Sequence, residues 1–375
     1  MAHLRQLAEP DSYQPCDWDL KADAAGRQYW VDAFRWHLDA VVLPLVKEQY
    51  PDAPPERLAT FRTEYRRKFE EIAEDPERYE RLDMLYFTEL RWTVQGPLGF
   101  DDPFRKVKQR ENESALALYP GVLAELDAAG RVGCRTLLAQ GLMAGNIFDL
   151  GSKAAIERYQ DGQAAFRAAR AALPSQPWFI DDTAAWWARW DASPESVPAY
   201  QHVVFFVDNA GGDILLGCLP MVRWLLQAGA RVTLAANTLP ALNDVTAAEL
   251  LPLVERCAEM DAVMKDALAS GALRVMATGS RAPLLHLGRL TDEFVAATAD
   301  ADLIILHGMG RSIESNFHVP FVCDVLRVSA LKDERVAERI GARLFDCVFR
   351  WVPCVTSGDR TGAACEPATR SSASH

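Results

Sequence analysis

The second half of the chain alternates short apolar runs with longer helical patterns, and this alternation constrains the fold more than any other feature. The β-type runs are HVVFFVD, RVTLAAN, LRVMATGS, DLIILHGMG and RLFDCVFRW. Amphipathic stretches separate most of them, and the last such stretch, which we predict to be helical, covers residues 319–341. Strands that alternate with helices indicate a parallel, doubly wound sheet. We therefore predict an α/β domain over residues 196–354.

The first part of the chain, residues 1–195, has mostly helical patterns. One of them is GRQYWVDAFRWHLDAVVLPLVKEQY, in which Pro44 is expected to bend or end the first helix. The Trp-dense stretch PWFIDDTAAWWARWDA is expected to pack against a neighbouring helix, and it also offers a contact surface for a homodimer. The small, polar residues 355–375 are expected to be disordered.

Composition narrows the classes of protein and partner. Of the 375 residues, 49% are hydrophobic, and the formal net charge of −12 argues against a nucleic-acid partner. The eight cysteines form no CxxC pair and most lie in apolar runs, which favours reduced, buried thiols. The N-terminus lacks a signal-peptide pattern and no apolar stretch is long enough to span a membrane. We therefore expect a cytoplasmic protein.

Polar residues follow four of the predicted strands. Asp208 and Asn209 end the first strand, and Asn237 ends the next, with Asp244 in the loop after it. Two further strands end in TGS and in HGMGR. The carboxyl ends of parallel strands meet at one edge of the sheet, which is where open α/β sheets bind ligands. We expect a ligand site at this edge.

The residues alone leave the chemistry of that site open. The oxygen atoms of Asp208, Asn209 and Asp244 suit a hard divalent cation. An aspartate or asparagine before GGDILL is equally suited to cap the next helix. A strand followed by GxGxxG, a GxxxxGK[ST] loop, a GxSxG elbow and a DxDx[TV] pattern are all absent. The amide in DNAGG favours a water nucleophile activated by metal over a covalent phospho-aspartate.

Several long motifs, in order along the chain, resemble the damage-control phosphatases, a family once grouped as a domain of unknown function. They are GRQYW, DPFRKVKQREN, LMAGNIFDLGSKA, VDNAGGDILLG, NTLPALNDVT, TGSRAP, HGMGR and AERIGARLF. The nearest resemblance is to the branch associated with pantothenate-kinase-like proteins. The resemblance implies a Rossmann-like, three-layer α/β/α catalytic domain with a helical N-terminal part that contributes to the cleft.

The resemblance also implies an activity and its site. It implies a phosphatase that uses Mg²⁺, Mn²⁺, Co²⁺ or Ni²⁺, with Asp208, Asn209 and Asp244 as metal ligands and catalytic residues. The expected substrate is a small phosphomonoester, 4′-phosphopantetheine or its oxidised forms, with a sugar phosphate such as fructose 1-phosphate as the alternative. The residues expected to bind substrate or phosphate are Glu111, Asn112, Asn146, Asp149, Gly308, Gly310, Arg311 and Lys332.

Some of these assignments have a plainer alternative. Lys332 is also compatible with a solvated helix face, and Asn146 and Asp149 with local pairing on one helix. His307 stands where the family branch has a glutamate, so it is either a functional group or a structural histidine. An S-adenosylmethionine-dependent methyltransferase and a non-enzymatic binding module are the rival functions, although a binding module need not keep the three oxygen ligands.

Overall fold

A computed structural model describes residues 1–147, 162–194 and 197–354. The α-helices of the described residues are α1 (Ala24–His37), α2 (Leu43–Gln49), α3 (Pro55–Glu74), α4 (Met84–Gln95), α5 (Arg105–Ala128), α6 (Gly130–Ile147), α7 (Gly162–Ala171), α8 (Thr183–Asp191), α9 (Leu219–Gln227), α10 (Ala247–Met260), α11 (Ala262–Ser270), α12 (Asp292–Ala297) and α13 (Glu334–Arg339). Wider, π-helical turns cover Leu38–Val42, Asp213–Cys218 and Gly310–Glu314. The first of these separates α1 from α2, so the predicted break in that helix lies just before Pro44.

The strands form one seven-stranded sheet. They are β1 (Ile180–Asp181), β2 (His202–Phe206), β3 (Arg231–Ala236), β4 (Leu273–Ala277), β5 (Leu303–His307), β6 (Asp324–Ala330) and β7 (Cys347–Val352). Their order across the sheet is β1-β7-β6-β5-β2-β3-β4, and every neighbouring pair except β6 and β7 is parallel. The strand order reverses at β2, because β3 and β4 lie on one side of it and β5 and β6 on the other. Such a reversal marks the ligand-binding edge of a doubly wound sheet.

The prediction of a helix over residues 319–341 is wrong for most of its length. Residues Asp324–Ala330 form β6, which pairs with β5 and β7, and only Glu334–Arg339 are helical. A short apolar run buried on both faces of a sheet cannot be told from a buried helix by its periodicity. The chain returns from β6 to β7 through a helix of six residues, and β7 runs antiparallel to β6.

The helices α1 to α4 cover the carboxyl ends of the strands. Their aromatic and aliphatic side chains share one apolar core with residues from the loops that follow β4, β5 and β6, among them Leu284, Met309 and Leu331. A second group of helices, α5 and α6 with α9 and α10, packs against one face of the sheet. Helical segments of the N-terminal part therefore border the edge of the sheet at which polar residues collect.

The Trp-dense segment packs internally, as predicted. Trp186 and Trp190 of α8 are buried, and Trp187 and Trp190 make edge-to-face contacts with Trp224 of α9. The described cysteines are all free, and most are buried. No helix within the described ranges has the length and apolar character needed to cross a membrane. The division of the chain at residues 195 and 196 stays a prediction.

Candidate active site

Two carboxylates from neighbouring strand ends converge on one cationic group. Asp208 follows β2, Asp244 lies in the loop after β3, and both accept hydrogen bonds from the guanidinium of Arg311, which follows β5. The distance from Arg311 Nη2 to Asp244 Oδ2 is 2.6 Å, and Arg311 is only 2% exposed. Burial alone would lower the pKa of Arg311, but the two carboxylates raise it above its usual value. The site thus holds a permanent positive charge between two buried acids.

Backbone contacts fix the spacing of the two acidic loops. Asn209 and Asp244 form an isolated antiparallel bridge. The Ala210 N–H donates to the Asn243 carbonyl at 2.9 Å, and the Val245 N–H donates to the Asp208 carbonyl at 3.0 Å. These bonds make a two-residue ladder beyond the ends of β2 and β3. The pairing of the two main chains therefore brings the carboxylates of Asp208 and Asp244 together.

A third acid, Asp213, lies directly behind the first two residues of the site. Its Oδ2 accepts from the Asn209 backbone N–H at 3.0 Å, from Asn209 Nδ2 at 3.1 Å and from Asn146 Nδ2 at 3.3 Å. Its Oδ1 lies 2.7 Å from His307 Nε2. Burial would raise the pKa of Asp213, but His307, Lys332 and the Asn209 N–H together hold it below the ordinary value. A buried anion is thus maintained behind Asn209.

Possible metal ligands also surround the Asp213 carboxylate. Within the described ranges, Asp213, Cys218 and His307 bring their ligand atoms within 4.8 Å of one another. In the absence of a metal ion, burial raises the pKa of the Cys218 thiol well above its usual value. The Asp213 oxygens already accept hydrogen bonds from two asparagines and face His307. We interpret this group as support for the site in front of it.

Asp208, Asn209 and Asp244 have the chemistry expected of ligands for a divalent cation. Asn146 Nδ2 and Asn209 Nδ2 donate to Asp208 Oδ2 at 2.9 and 3.0 Å. The side-chain nitrogen of Asn209 donates to the carboxylates of Asp208 and Asp213. Its amide oxygen therefore remains available for another partner. The two carboxylates face one cationic group in this structure, so both point toward the same place from neighbouring loops. The three residues also line one cavity, so they fit such an ion.

The glycine that follows His307 is required by this geometry. Gly308 has φ of +91°, and a Cβ atom built on it would lie 2.1 Å from Asp208 Oδ2. Its N–H donates to the Val328 carbonyl at 3.0 Å, so a phosphate contact by this amide would need that bond to break. Gly310 begins the π-helical turn after β5 and lines the cavity. Of the two predicted amide donors, Gly310 is thus the better placed.

A cavity of about 420 Å³ lies against the acids. Its polar end contains Asp208, Asn209 and Asp244. Its other walls are mostly aromatic and aliphatic, and they come from α1, from α4 and from the segments after β3, β4, β5 and β6. These aromatic and aliphatic residues include Tyr29, Trp30, Trp36, Met84, Leu242 and Met309. Charged side chains also line these walls, among them Asp32, Arg91 and Asp333. The site therefore joins a charged end to a mostly apolar chamber.

Sequence comparison identifies the family. A family model described as the damage-control phosphatase ARMT1-like domain matches residues 33–348. The chain belongs to the damage-control phosphatase family. The resemblance found in the motifs is thereby confirmed.

Individual relatives agree with this assignment. A damage-control phosphatase of Arabidopsis thaliana is 39% identical over 303 residues, which cover 80% of this chain and 81% of that protein. A 4′-phosphopantetheine phosphatase of Mus musculus is 33% identical, with 94% of this chain and 48% of that protein covered. Pantothenate kinase 2 of Arabidopsis thaliana is 35% identical, with 92% of this chain and 41% of that protein covered. The chain thus spans less than half the length of the last two proteins.

A solved structure supports the predicted fold class. The crystal structure of a DUF89 family protein from Pyrococcus horikoshii matches with a TM-score of 0.59 at 16% identity, covering 85% of this chain and 96% of that one. At this identity the likeness concerns the fold alone. It agrees with an α/β sheet domain that carries a mostly helical N-terminal part.

The remaining predicted site residues differ in where they lie. Asn146 is fully buried at the acid cluster, and Lys332 is buried near Asp213. Asn112 is buried on α5 and accepts a hydrogen bond from a site loop instead of lining the cavity. Glu111, its neighbour, packs against Gly211 of the same loop. Asp149 lies outside the described residues.

Sequence reasoning missed two residues that hold the site together. One of them is Asp213, which stands at the start of the apolar run DILLGC. That position favours burial, and a buried carboxylate needs hydrogen-bond partners. Asn237 was recognised as a strand end only, but its Nδ2 donates to Asp244 Oδ2 at 2.9 Å. His307 is fully buried and bonded to Asp213, as the structural interpretation of this residue requires.

Proposed function

We propose that this chain is a divalent-metal-dependent phosphatase that hydrolyses a small phosphomonoester. The observation that carries the proposal is the convergence of Asp208 and Asp244 on one cationic group at the polar end of a cavity of about 420 Å³. The chain's membership of a phosphatase family supports the reaction class.

The residues divide the work of binding. Asp208 and Asp244 supply negative charge and Asn209 a neutral oxygen, so the three would hold the ion with positions left for water and substrate. Asp213 orients Asn209 through both its backbone and its side-chain N–H groups. When bound, a divalent ion neutralises phosphoryl charge and lowers the pKa of a water ligand.

The cations near the acids are suited to the phosphoryl group. Arg311 has a planar array of donors of the kind that matches phosphate oxygens, and binding phosphate with it would require Nη1 or Nη2 to leave Asp208 or Asp244. Lys332 offers a single charged donor. Gly310 brings the main chain to the cavity wall without a side chain between it and the ligand. Phosphoryl transfer depends mainly on such positioning and charge stabilisation, so these residues account for the expected rate acceleration.

We propose 4′-phosphopantetheine, or an oxidised form of it, as the substrate. A sugar phosphate needs hydrogen-bond partners for each hydroxyl group, whereas most of the cavity away from the acids is aromatic or aliphatic. An extended leaving group with methyl, methylene and amide groups suits such walls better. The mouse relative is a 4′-phosphopantetheine phosphatase by name, which agrees with this choice.

The reaction class is tested by the substitution Asp208→Asn. We expect metal-dependent release of inorganic phosphate to fall by at least about 10²-fold, because charge at the ion is lost where it matters most. Asp266→Asn, on the exposed face of α11, is the matched control and should leave turnover unchanged. Full activity of Asp208→Asn in the presence of Mn²⁺ would remove the proposal.

The substrate is tested by comparing kcat/KM for 4′-phosphopantetheine, its S-oxidised forms, fructose 1-phosphate and glycerol phosphate. Each is measured with Mg²⁺, Mn²⁺, Co²⁺ and Ni²⁺. We expect the pantetheine esters to exceed both compact esters by about tenfold or more, because an apolar leaving group gains burial that a polyol does not. A higher kcat/KM for fructose 1-phosphate would favour the sugar-phosphate alternative.

A further inference from the structure

One face of α5 contacts the loop after β2 directly and also contacts the first turn of α10, the helix that follows the loop after β3. Lys108 and Asn112 are four residues apart on this helix, so their side chains point to the same side. Both are buried, and Lys108 is completely inaccessible to solvent. Two buried polar side chains on one helix face need partners. The partner of Asn112 is in the loop after β2, and those of Lys108 are Asp102 and Glu249, the latter in the first turn of α10.

Lys108 reaches the loop after β3 through a short relay. Its Nζ lies 2.8 Å from Glu249 Oε1 and 3.1 Å from Asp102 Oδ2. Glu249 Oε2 in turn accepts from the backbone N–H and the hydroxyl of Thr246, both at 2.9 Å, as part of the capping box that starts α10. Thr246 is two residues after Asp244.

The same capping residue is tied to the sheet. Thr246 forms an isolated bridge with Asn237 at the end of β3. Asn237 donates its side-chain N–H to Asp244 Oδ2 at 2.9 Å. A chain of contacts therefore links Lys108 to the Asp244 carboxylate. It runs through the side chain of Glu249, the backbone of Thr246 and the side chain of Asn237.

Asn112 reaches the other loop directly. Its Oδ1 accepts from the Gly211 N–H at 2.7 Å, and Gly211 follows Asp208 and Asn209 in the chain. The contact is close as well as polar, because a Cβ atom on Gly211 would lie 2.8 Å from Glu111 Cβ. Gly211 also has φ of +72°, a conformation that suits glycine. The loop after β2 therefore packs directly against α5.

We propose that α5 braces the two ligand-bearing loops, with Lys108 and Asn112 as positioning residues that set the spacing of Asp208, Asn209 and Asp244. The proposal rests on the proposed function, because it takes these three residues as the metal ligands. It assigns a role in ion binding to a helix of the N-terminal part, and neither residue has to touch the ion or the substrate. Residues that orient metal ligands typically affect affinity by 10- to 100-fold.

A purely structural role makes a different prediction. If Lys108 and Asn112 only stabilise the fold, their loss lowers the melting temperature but leaves the affinity of the folded protein for metal unchanged. If they set the spacing of the ligands, the affinity falls at temperatures at which the variant is fully folded. Affinity measured by calorimetry at 25 °C, with circular dichroism to check folding, separates the two roles without any activity assay.

The first experiment compares Lys108→Met with Lys106→Met by titration with Mn²⁺. The two substitutions are chemically identical and lie on the same helix, but Lys106 is exposed and its Nζ contacts only the Glu48 carbonyl at 2.6 Å among the contacts described. We expect Mn²⁺ affinity to fall by about tenfold or more in Lys108→Met and to be unchanged in Lys106→Met. Equal affinity of folded Lys108→Met and wild type would overturn the role of Lys108.

The second experiment keeps the proposal testable if Lys108→Met does not fold. Asn112→Asp retains an oxygen that accepts from the Gly211 N–H, whereas Asn112→Leu has a similar size and no acceptor. We expect Mn²⁺ affinity to fall by about tenfold in Asn112→Leu and to be largely restored in Asn112→Asp. Equal losses in both variants, or a loss in neither, would contradict the brace.

Failure of the brace is distinguishable from failure of the proposed function. If wild-type protein binds no divalent cation and releases no phosphate, the assignment of Asp208, Asn209 and Asp244 is wrong. If wild-type protein binds Mn²⁺ and the α5 variants bind it equally well, only the brace is wrong.

Discussion

The two ends of the cavity are built in opposite ways. At the polar end, Asp208, Asp244 and Arg311 are almost completely buried and every one of them is hydrogen-bonded across elements of the sheet. At the other end, Tyr29 and Trp36 project from α1 and are only half-buried. The first end is held by directional bonds between buried charges. The second end rests mainly on apolar packing, although the Tyr29 hydroxyl there donates to Asp333 Oδ2 at 2.7 Å.

This difference separates reactivity from selectivity. A buried charge that loses its partner costs several kcal/mol, so the polar end tolerates little change. An apolar wall can change size or shape at a cost of about 1 kcal/mol, because dispersion and burial are not directional. We infer that the chemistry is fixed by the strand ends, while the helices of the N-terminal part adjust which leaving group is accepted.

The largest effect is expected from Arg311→Met. The substitution leaves Asp208 and Asp244 buried without their shared cation, and the metal-free protein should lose about 3–5 kcal/mol of unfolding free energy. Because a divalent ion would restore the missing charge, Mn²⁺ should raise the melting temperature of this variant more than that of wild type. Urea unfolding with and without Mn²⁺ measures both effects.

The control for this substitution is Arg343→Met, since Arg343 is exposed. Its unfolding free energy should stay within about 0.5 kcal/mol of wild type. A metal-free Arg311→Met protein as stable as this control would show that the polar end is not a tightly coupled group of charges. The contrast between the two ends would then lose its basis.

The next effect is expected from Gly308→Ala. The new methyl group would lie 2.1 Å from Asp208 Oδ2, and the backbone has φ of +91°, so both the carboxylate and the main chain must move. A displacement of about 1 Å at a catalytic group costs about 10²-fold in kcat, which phosphate-release kinetics would detect.

Gly99→Ala isolates the backbone contribution to that effect. Gly99 has φ of +71°, but a Cβ atom there meets nothing within 4 Å. Its variant should lose about 1–2 kcal/mol of stability and keep its kcat. A similar loss of kcat in both variants would mean that crowding at Asp208 is not the cause.

The sequence predicted the fold better than it predicted the hydrogen-bonded support around the candidate site, and the assignment of the metal ligands stays a prediction. Strand ends could be found because apolar runs stop abruptly at polar residues such as Asp208, and family motifs raised the expectation of a metal. Asp213 and Lys108 were missed as supports because their partners, His307 and Glu249, are distant in sequence. Periodicity reports which side of a helix is apolar, but it does not report which loop a buried charge will meet.

The error at β6 has a similar origin. The segment Asp324–Ala330 is buried between two strands, and a strand buried on both faces loses the alternation that identifies strands in a sequence. The aromatic wall of the cavity was also not predicted. Tyr29 and Trp36 follow a helical spacing that normally indicates core packing, and only the position of α1 over the strand ends places them beside a ligand site.

A smaller effect is expected from Trp36→Ala at the apolar end. The loss of an aromatic surface should raise KM for 4′-phosphopantetheine by about tenfold, or roughly 1.4 kcal/mol, and leave KM for glycerol phosphate unchanged. Trp92→Ala on α4 is the control, because the ring of Trp92 lies under the guanidinium of Arg281 instead. An equal change in KM for both esters would indicate that the apolar wall does not select the leaving group.

The smallest effect is expected from the titration of His286, in the same loop as the cavity residues Pro283 and Leu284. Burial, reinforced by the charge of Arg289, lowers the pKa of His286 to about 4, and the ring Nδ1 accepts from the Gly288 N–H at 3.1 Å. The unfolded chain therefore binds a proton more readily than the folded one, and the contribution of this residue is present above about pH 6.5 and lost as the pH falls towards 4. Because the side chain is partly exposed, the loss should be below about 1 kcal/mol.

Urea unfolding of wild type and His286→Gln between pH 4.5 and 7 measures this contribution, and the variant should show the shallower decline in acid. Since His286 belongs to neither end of the cavity, KM for 4′-phosphopantetheine should be equal in the two proteins at pH 7. A change in KM would mean that the loop after β4 communicates its state to the ligand. In that case the cavity would have a third adjustable part, and the division of labour between strand ends and helices would be incomplete.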